Sequence, residues 1–244
     1  MNELDINNPQ LPDFIVPGAD EKKQDEPAKI KVIGVGGGGG NAVNHMYHQG
    51  IGGVSFVLCN TDAQALRNSP VPVKVQLGAK GEGAGNIPEV AKKLAEESAA
   101  EVEALFDDNT RMAFITAGMG GGTGTGAAPV VARIAKEKGV LTVGIVTIPF
   151  LFEGEPKILQ AFAGVEEMRK HVDALLVINN ERLCKIYPDL SWTTAFAKAD
   201  DSLSNAARSI AELVSKDGKI NLDFADVRTT LKDGGAAVIS TGSG

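Results

Sequence analysis

Residues 115–129 read ITAGMGGGTGTGAAP, and the five glycines and two threonines at 120–126 carry the strongest chemical signal in the chain. Glycine is costly inside a regular element, so this density is read as serving chemistry rather than packing. Bare amide N–H groups, hydroxyls and a helix N-terminus presented together make a cradle for an anion. Polyphosphate is the candidate. The run lies between an apolar segment at 112–116 and a helical pattern over 130–135, a position that does not suit a flexible linker.

A second cradle precedes it. The sequence GVGGGGGNAV at 34–43 places Gly34, Gly36 and Gly39 in the G-x-G-x-x-G spacing of a dinucleotide-binding turn. Asp62, in CNTD, stands where such a protein keeps an acid for the ribose. A nicotinamide or flavin therefore remains an open reading at this point. A third turn, GEGAGNIPE at 81–89, also leads into a helix. Several amide-rich turns on one sheet edge suit a triphosphate better than a single pyrophosphate bridge. The G-x-x-x-x-G-K-[ST] pattern is absent, so no P-loop lysine balances the charge. Backbone N–H groups, helix dipoles and a metal ion must do so, and magnesium is expected.

The elements that position these turns follow from the apolar pattern. Strands are predicted at 30–35, 54–59, 73–77, 111–117, 140–148 and 173–178. Helices are predicted from Asn41 to His48, over 88–106 as one piece, from Ala128 to a stop at Gly139, and over 156–171. Near-continuous apolar strands alternating with helices imply an α/β fold, a Rossmann-like and mostly parallel sheet with helices on both faces. From Asp200 to Lys216 a further helix sets Leu203, Ala207, Ile210, Leu213 and Val214 on one face, with Gly218 ending it. The loop KINLDFADV, a short helix and a strand-like AAVIST complete the chain. Residues 1–28 hold a charged run and four of the eleven prolines, and are read as a disordered tail.

Composition narrows the classes. Hydrophobic residues at 43% and charged residues at 23% are ordinary for a soluble globular protein. A net charge of −7 with no basic stripe argues against nucleic acid as a partner. No apolar stretch reaches the length of a membrane span and the start lacks a signal-peptide pattern, so a cytoplasmic protein without membrane insertion is expected. Cys59 and Cys184 are read as buried free thiols. His45, His48 and His171 show no ligand spacing.

Taken together, GVGGGGGNAVNHM, CNTDAQAL, GGGTGTG, PFLFEG and NLDFADVR resemble the FtsZ family, the tubulin-like cell-division GTPases of bacteria, and the likeness runs in order over residues 29–244. The resemblance implies bound GTP or GDP with magnesium held through the phosphates and water, and no direct protein ligand to the metal. It implies phosphate contacts from Gly37, Gly38 and Asn41, and places Ala84, Gly85 and Asn86 toward the γ-phosphate. Gly120, Gly121, Gly122, Thr123, Gly124 and Thr125 would wrap the α- and β-phosphates. Glu153 and Asn180 would hold ribose and base, Phe196 would stack on guanine, and Asp200 would pair with its N1–H and amino group. A carboxylate accepting two donors selects guanine, since adenine leaves the acid unpaired. The chain departs from the family at Lys157, where arginine is usual, and at INNE, residues 178–181, where the family has I-P-N-D. Lysine keeps the charge and loses the bidentate fork.

The resemblance also makes Asn221, Asp223 and Asp226 the catalytic loop. From Asp200 to Asp217 is about 18 residues, roughly 27 Å of helix, so these acids cannot readily reach a nucleotide bound by their own subunit. Acting in trans, they would complete the site of a neighbour stacked head to tail, a non-closing contact that builds a filament. Three units are expected: the tail at 1–28, a GTP-binding domain at 29–199, and, at 200–244, the central helix, the catalytic loop and the start of a C-terminal domain that the chain lacks. Division-site localisation follows in the family, with cell-division partners bound mainly through a tail beyond this chain. A module that binds GTP or GDP and neither polymerises nor hydrolyses appreciably is the alternative.

Overall fold

The computed structural model describes residues 29–187, 189, 191–215 and 224–236. The tail predicted at 1–28, Asn221 and Asp223 lie outside the described residues. Seven strands form one sheet in the order β3-β2-β1-β4-β5-β6-β7. They are β1 (Lys29–Val35), β2 (Ser55–Asn60), β3 (Val73–Gln76), β4 (Thr110–Gly118), β5 (Leu141–Ile148), β6 (Ala174–Asn179) and the short β7 (Gly235–Ala236). Every pairing between them is parallel. The α/β expectation holds, and the six strands read from apolar runs each lie within one or two residues of the observed bounds.

Nine helices connect and cover the strands among the described residues: α1 (Gly36–His48), α2 (Ala63–Arg67), α3 (Pro88–Glu97), α4 (Ala99–Ala104), α5 (Gly122–Glu137), α6 (Glu155–Arg169), α7 (Glu181–Ile186), α8 (Trp192–Ser215) and α9 (Phe224–Leu231). Because side chains alternate across a strand, β1 sends Ile33 and Val35 to one face and Ile30 and Val32 to the other. The first face packs on Ala91 and Ala95 of α3, on α5 from Ala127 to Ala135, and on Met168 of α6. The second packs on Val43 and Met46 of α1, Leu203 and Ala207 of α8, and Val227 of α9. Two apolar cores, one on each face, bury the central strands β1, β4 and β5, while the edge strand β3 is largely exposed.

Four helices differ from expectation in their bounds. The single helix expected over 88–106 breaks at Ser98, whose buried hydroxyl accepts the N–H of Gly78 at 2.9 Å. The helix expected to open at Asp200 opens two turns earlier. Ser191 supplies its cap, accepting the Thr194 N–H on its hydroxyl and the Ala195 N–H on its carbonyl. Asp200 is therefore a mid-helix residue and not an N-terminal acid. α1 and α5 begin inside the glycine runs, at Gly36 and Gly122, rather than after them.

Candidate functional site

The sheet order turns at β1, whose neighbours are β2 on one side and β4 on the other. Connections leave these strands in opposite senses, which opens a crevice at their carboxyl ends. Both glycine runs lie there: Val35 passes into α1, and Gly118 into α5. Neither helix has a side-chain cap hydrogen bond or an acid in its first turn. Their leading N–H groups and dipole ends are thus left for an external anion.

Close contacts account for much of the glycine. A Cβ at Gly39 would sit 2.2 Å from the Thr116 carbonyl oxygen, at Gly124 2.2 Å from that of Gly118, and at Gly126 1.9 Å from that of Pro88. Packing, set aside above, is therefore the reason for several of these residues. Helix α5 can press its backbone onto β4 and α3 only without side chains there. Gly37 and Gly121 differ. Nothing stands within 4 Å of a Cβ at Gly37, and only the Asn86 amide oxygen, at 3.9 Å, approaches one at Gly121. Both face open space.

That space is a cavity of about 360 Å³. It brings together Gly37, Gly38, Asn41, Gly121, Glu153, Lys157, Asn180, Phe196 and Asp200 of the residues singled out from sequence. It also gathers residues that sequence reasoning missed, among them Met119, Thr147, Ala199 and Leu203. Ala84, Gly85 and Asn86 form a turn against the start of α5, where a Cβ at Gly122 would meet the Ile87 nitrogen at 2.8 Å. Ala84 is buried in the core. Thr123 and Thr125 spend their hydroxyls within the protein. Thr123 shares a 2.7 Å hydrogen bond with Thr61, and Thr125 accepts the N–H of Gly120 at 2.8 Å. Asp62, the candidate ribose acid of a dinucleotide site, instead caps α2 by accepting the N–H groups of Gln64 and Ala65.

At the far end of the cavity the chemistry changes from amide to aromatic and carboxylate. Phe196, 43% exposed, stands edge-on to Phe150 and Phe152, with centroids 5.3 and 6.0 Å away. The amide oxygen of buried Asn180 has no hydrogen-bond partner among the described residues. An orphaned acceptor of this kind is costly unless a ligand donates to it. Burial pushes the Asp200 carboxyl from its ordinary 3.8 up to about 6, against the opposing pull of His45 and with a further push from Asp201. Asp201 itself is paired with His45 at 2.9 Å. Also in the lining, Lys157 Nζ lies 3.3 Å from a Glu153 oxygen, while the other Glu153 oxygen accepts the N–H of Phe150.

The charged side chains lining the cavity are thus Glu153, Asp200 and Lys157, one net negative charge against an expected polyanion. Among the described residues no group of three or more His, Cys, Asp or Glu is placed to hold a metal ion. The amide-lined end of the cavity fits a metal carried on phosphate oxygens and water. Asp226, exposed in the first turn of α9, does not line the cavity. Its neighbour Val227 belongs to the apolar cluster that also holds Met112 and Ala174, and α9 ends four residues before Gly235, whose N–H donates to the Asp173 carbonyl at the amino end of β6. The cavity opens at the opposite, carboxyl edge. Among the described residues no helix is long and apolar enough to cross a membrane.

Comparison with known proteins agrees with this geometry. Residues 29–188 match the model of the Tubulin/FtsZ family GTPase domain. The cell division protein FtsZ of Porphyromonas gingivalis is 66% identical over 222 residues, which cover 89% of this chain and 49% of that protein. FtsZ of Wigglesworthia glossinidia brevipalpis is 50% identical, with 88% and 57% covered. The chain spans about half the length of the curated relatives it matches. Among solved structures, an empty FtsZ dimer from M. jannaschii superposes with a TM-score of 0.83 at 45% identity, covering 88% of this chain and 64% of that one. A GTPγS-bound protofilament of CetZ2 from Haloferax volcanii superposes with a TM-score of 0.73 at 25% identity, with 85% and 64% covered.

Proposed function

The chain belongs to the tubulin/FtsZ family, and on that premise we propose that it binds GTP in the crevice between β1 and β4 and hydrolyses it on head-to-tail assembly in cell division. The observation that carries this reading is the cavity itself. It is lined both by the glycine turns that open two uncapped helices and by the polar and aromatic side chains of Asn180, Phe196 and Asp200. The N–H groups of Gly37, Gly38 and Gly121 and the Asn41 amide take the phosphates, in place of the absent P-loop lysine. Asn180 supplies its unpartnered oxygen to a donor of the nucleoside. Asp200, ionised, accepts the N1–H and amino group of guanine, and Phe196 covers the ring. Magnesium on the phosphates would neutralise charge that grows on the transferring phosphoryl group.

Hydrolysis needs a water placed in line with the γ-phosphate, and the cavity lining holds no unassigned acid to place it. Asp226, with Asn221 and Asp223, is proposed to do so from the next subunit. Its position toward the amino edge of the sheet supports this, because stacking the amino edge of one copy on the carboxyl edge of another joins loop and nucleotide. Attack of that water on phosphorus releases phosphate and GDP. Septal localisation in the cytoplasm and contact with other division proteins follow as part of the same proposal. The test is specific GTP turnover measured over a hundredfold range of protein concentration. A site completed in trans gives activity per molecule that rises with concentration, whereas a flat line removes the trans mechanism.

A further inference from the structure

Gln160 lies outside the nucleotide cavity, on α6, where it lines a separate cavity enclosed by α3, α5 and α6. Its side-chain amide donates to three backbone carbonyls: Gly120 at 3.0 Å, Gly121 at 3.2 Å and Asn86 at 3.4 Å. One NH2 group carries two hydrogens, so the three acceptors share them in a bifurcated arrangement. The carbonyls belong to two different turns, the one at 84–87 and the one that opens α5.

A peptide unit is planar, with its C=O and N–H pointing in opposite directions. The carbonyl of Gly120 and the N–H of Gly121 share one plane, and the carbonyl of Gly121 shares the next with the N–H of Gly122. Drawing both carbonyls toward Gln160 on the outer side therefore turns both amides away from it. Gly121 lines the nucleotide cavity on that other side. The remaining freedom of the turn is removed by the Gly120 N–H, held by the Thr125 hydroxyl at 2.8 Å. Gly120 adopts a left-handed φ of 96° that glycine alone takes without strain.

We infer that Gln160 is the positioning residue of the phosphate-binding turn: from behind, it fixes the peptide planes of Gly120 and Gly121 so that two amides face the phosphates, and it ties the turn at 84–87 to them. This rests on the assignment of the cavity to a guanine nucleotide. Gln160 touches no phosphate itself. Its effect is confined to the phosphate end, because Asn180, Phe196 and Asp200 are held by β6, α7 and α8 instead.

The test is isothermal calorimetry on the 244-residue chain and its Gln160→Met variant, which keeps the side-chain length and deletes the donor, with guanosine, GDP and GTP as ligands. Removing one to two net hydrogen bonds from the turn lowers GDP and GTP affinity about tenfold, and guanosine affinity stays unchanged within about twofold. Gln160→Glu, isosteric and repelled by the same carbonyls, gives the same pattern with a larger loss and serves if the methionine variant fails to fold. Unchanged GTP affinity, or an equal loss for guanosine and GTP, overturns the positioning role. Failure of the unsubstituted chain to bind any of the three overturns the nucleotide reading, and the clamp with it.

Discussion

Asp200→Asn should strengthen the nucleotide-free fold and weaken nucleotide binding, opposite effects from one atom pair. Burial raises the Asp200 carboxyl from 3.8 to about 6. The folded state therefore binds its proton more tightly than the unfolded chain. Through this group stability is greatest below pH 3.8, falls as pH rises from 3.8 to about 6, and stays reduced at neutral pH. At 1.36 kcal/mol per pH unit the ceiling on that loss is about 3 kcal/mol. The carboxyl is only partly buried, and solvent screening reduces the expected figure to about 1–2 kcal/mol. Asparagine has nearly the same shape and no charge. At pH 7.5 the nucleotide-free variant should melt about 3–6 °C higher for a domain of this size, and the difference should vanish near pH 4. GTP affinity moves the other way. An amide cannot accept both the N1–H and the amino group of guanine, which costs about 1–3 kcal/mol, or tenfold to a hundredfold. Differential scanning fluorimetry across pH, with calorimetric titration of GTP, reads both effects. A variant that melts lower than the original at pH 7.5, or that binds GTP equally well, refutes the reasoning.

Three further substitutions separate packing from chemistry. Gly126→Ala sets a methyl group 1.9 Å from the Pro88 carbonyl oxygen and should cost about 3 kcal/mol, read as a lower urea midpoint. Gly37→Ala meets nothing within 4 Å and adds a better helix former in the first turn of α1. It should leave the melting temperature level or slightly higher while GTP affinity falls about tenfold, because the new methyl enters the cavity. Asp226→Ala removes an exposed first-turn acid, so stability should change by less than about 1 kcal/mol. GTP titration should be unaltered in that variant and turnover lost, with retained turnover counting against the loop's role.

Apolar strands such as IKVIGV and LTVGIVTI are legible because a parallel sheet buried on both faces leaves little room for polar residues. The turns that end β1 and β4 stand out in the sequence for the complementary reason, that glycine is scarce where it has no task. What stays hidden depends on contacts between distant segments. Nothing local says that Gly124 and Gly126 lie inside a helix, since propensity disfavours them there. Only the approach of β4 and α3 makes them necessary. Ser98 interrupts a strong helical pattern because Gly78, twenty residues earlier, needs an acceptor. Asp200 looks like the start of a helix until Ser191 is seen to cap it two turns upstream. That change matters to function, because a mid-helix aspartate with its side chain toward the cavity is a better ligand group than a frayed end. Gln160 is a lone amide among apolar neighbours and carries no motif. Its three carbonyl partners emerge only when α6 is laid against the two turns.

Whether this crevice is a guanine nucleotide site is decided by calorimetric titration of the chain with GTP, GDP and ATP in the presence of magnesium. GTP and GDP should bind one to one, with ATP weaker by about a hundredfold because adenine leaves Asp200 unpaired. Equal affinity for ATP and GTP, or no binding of either, would contradict it.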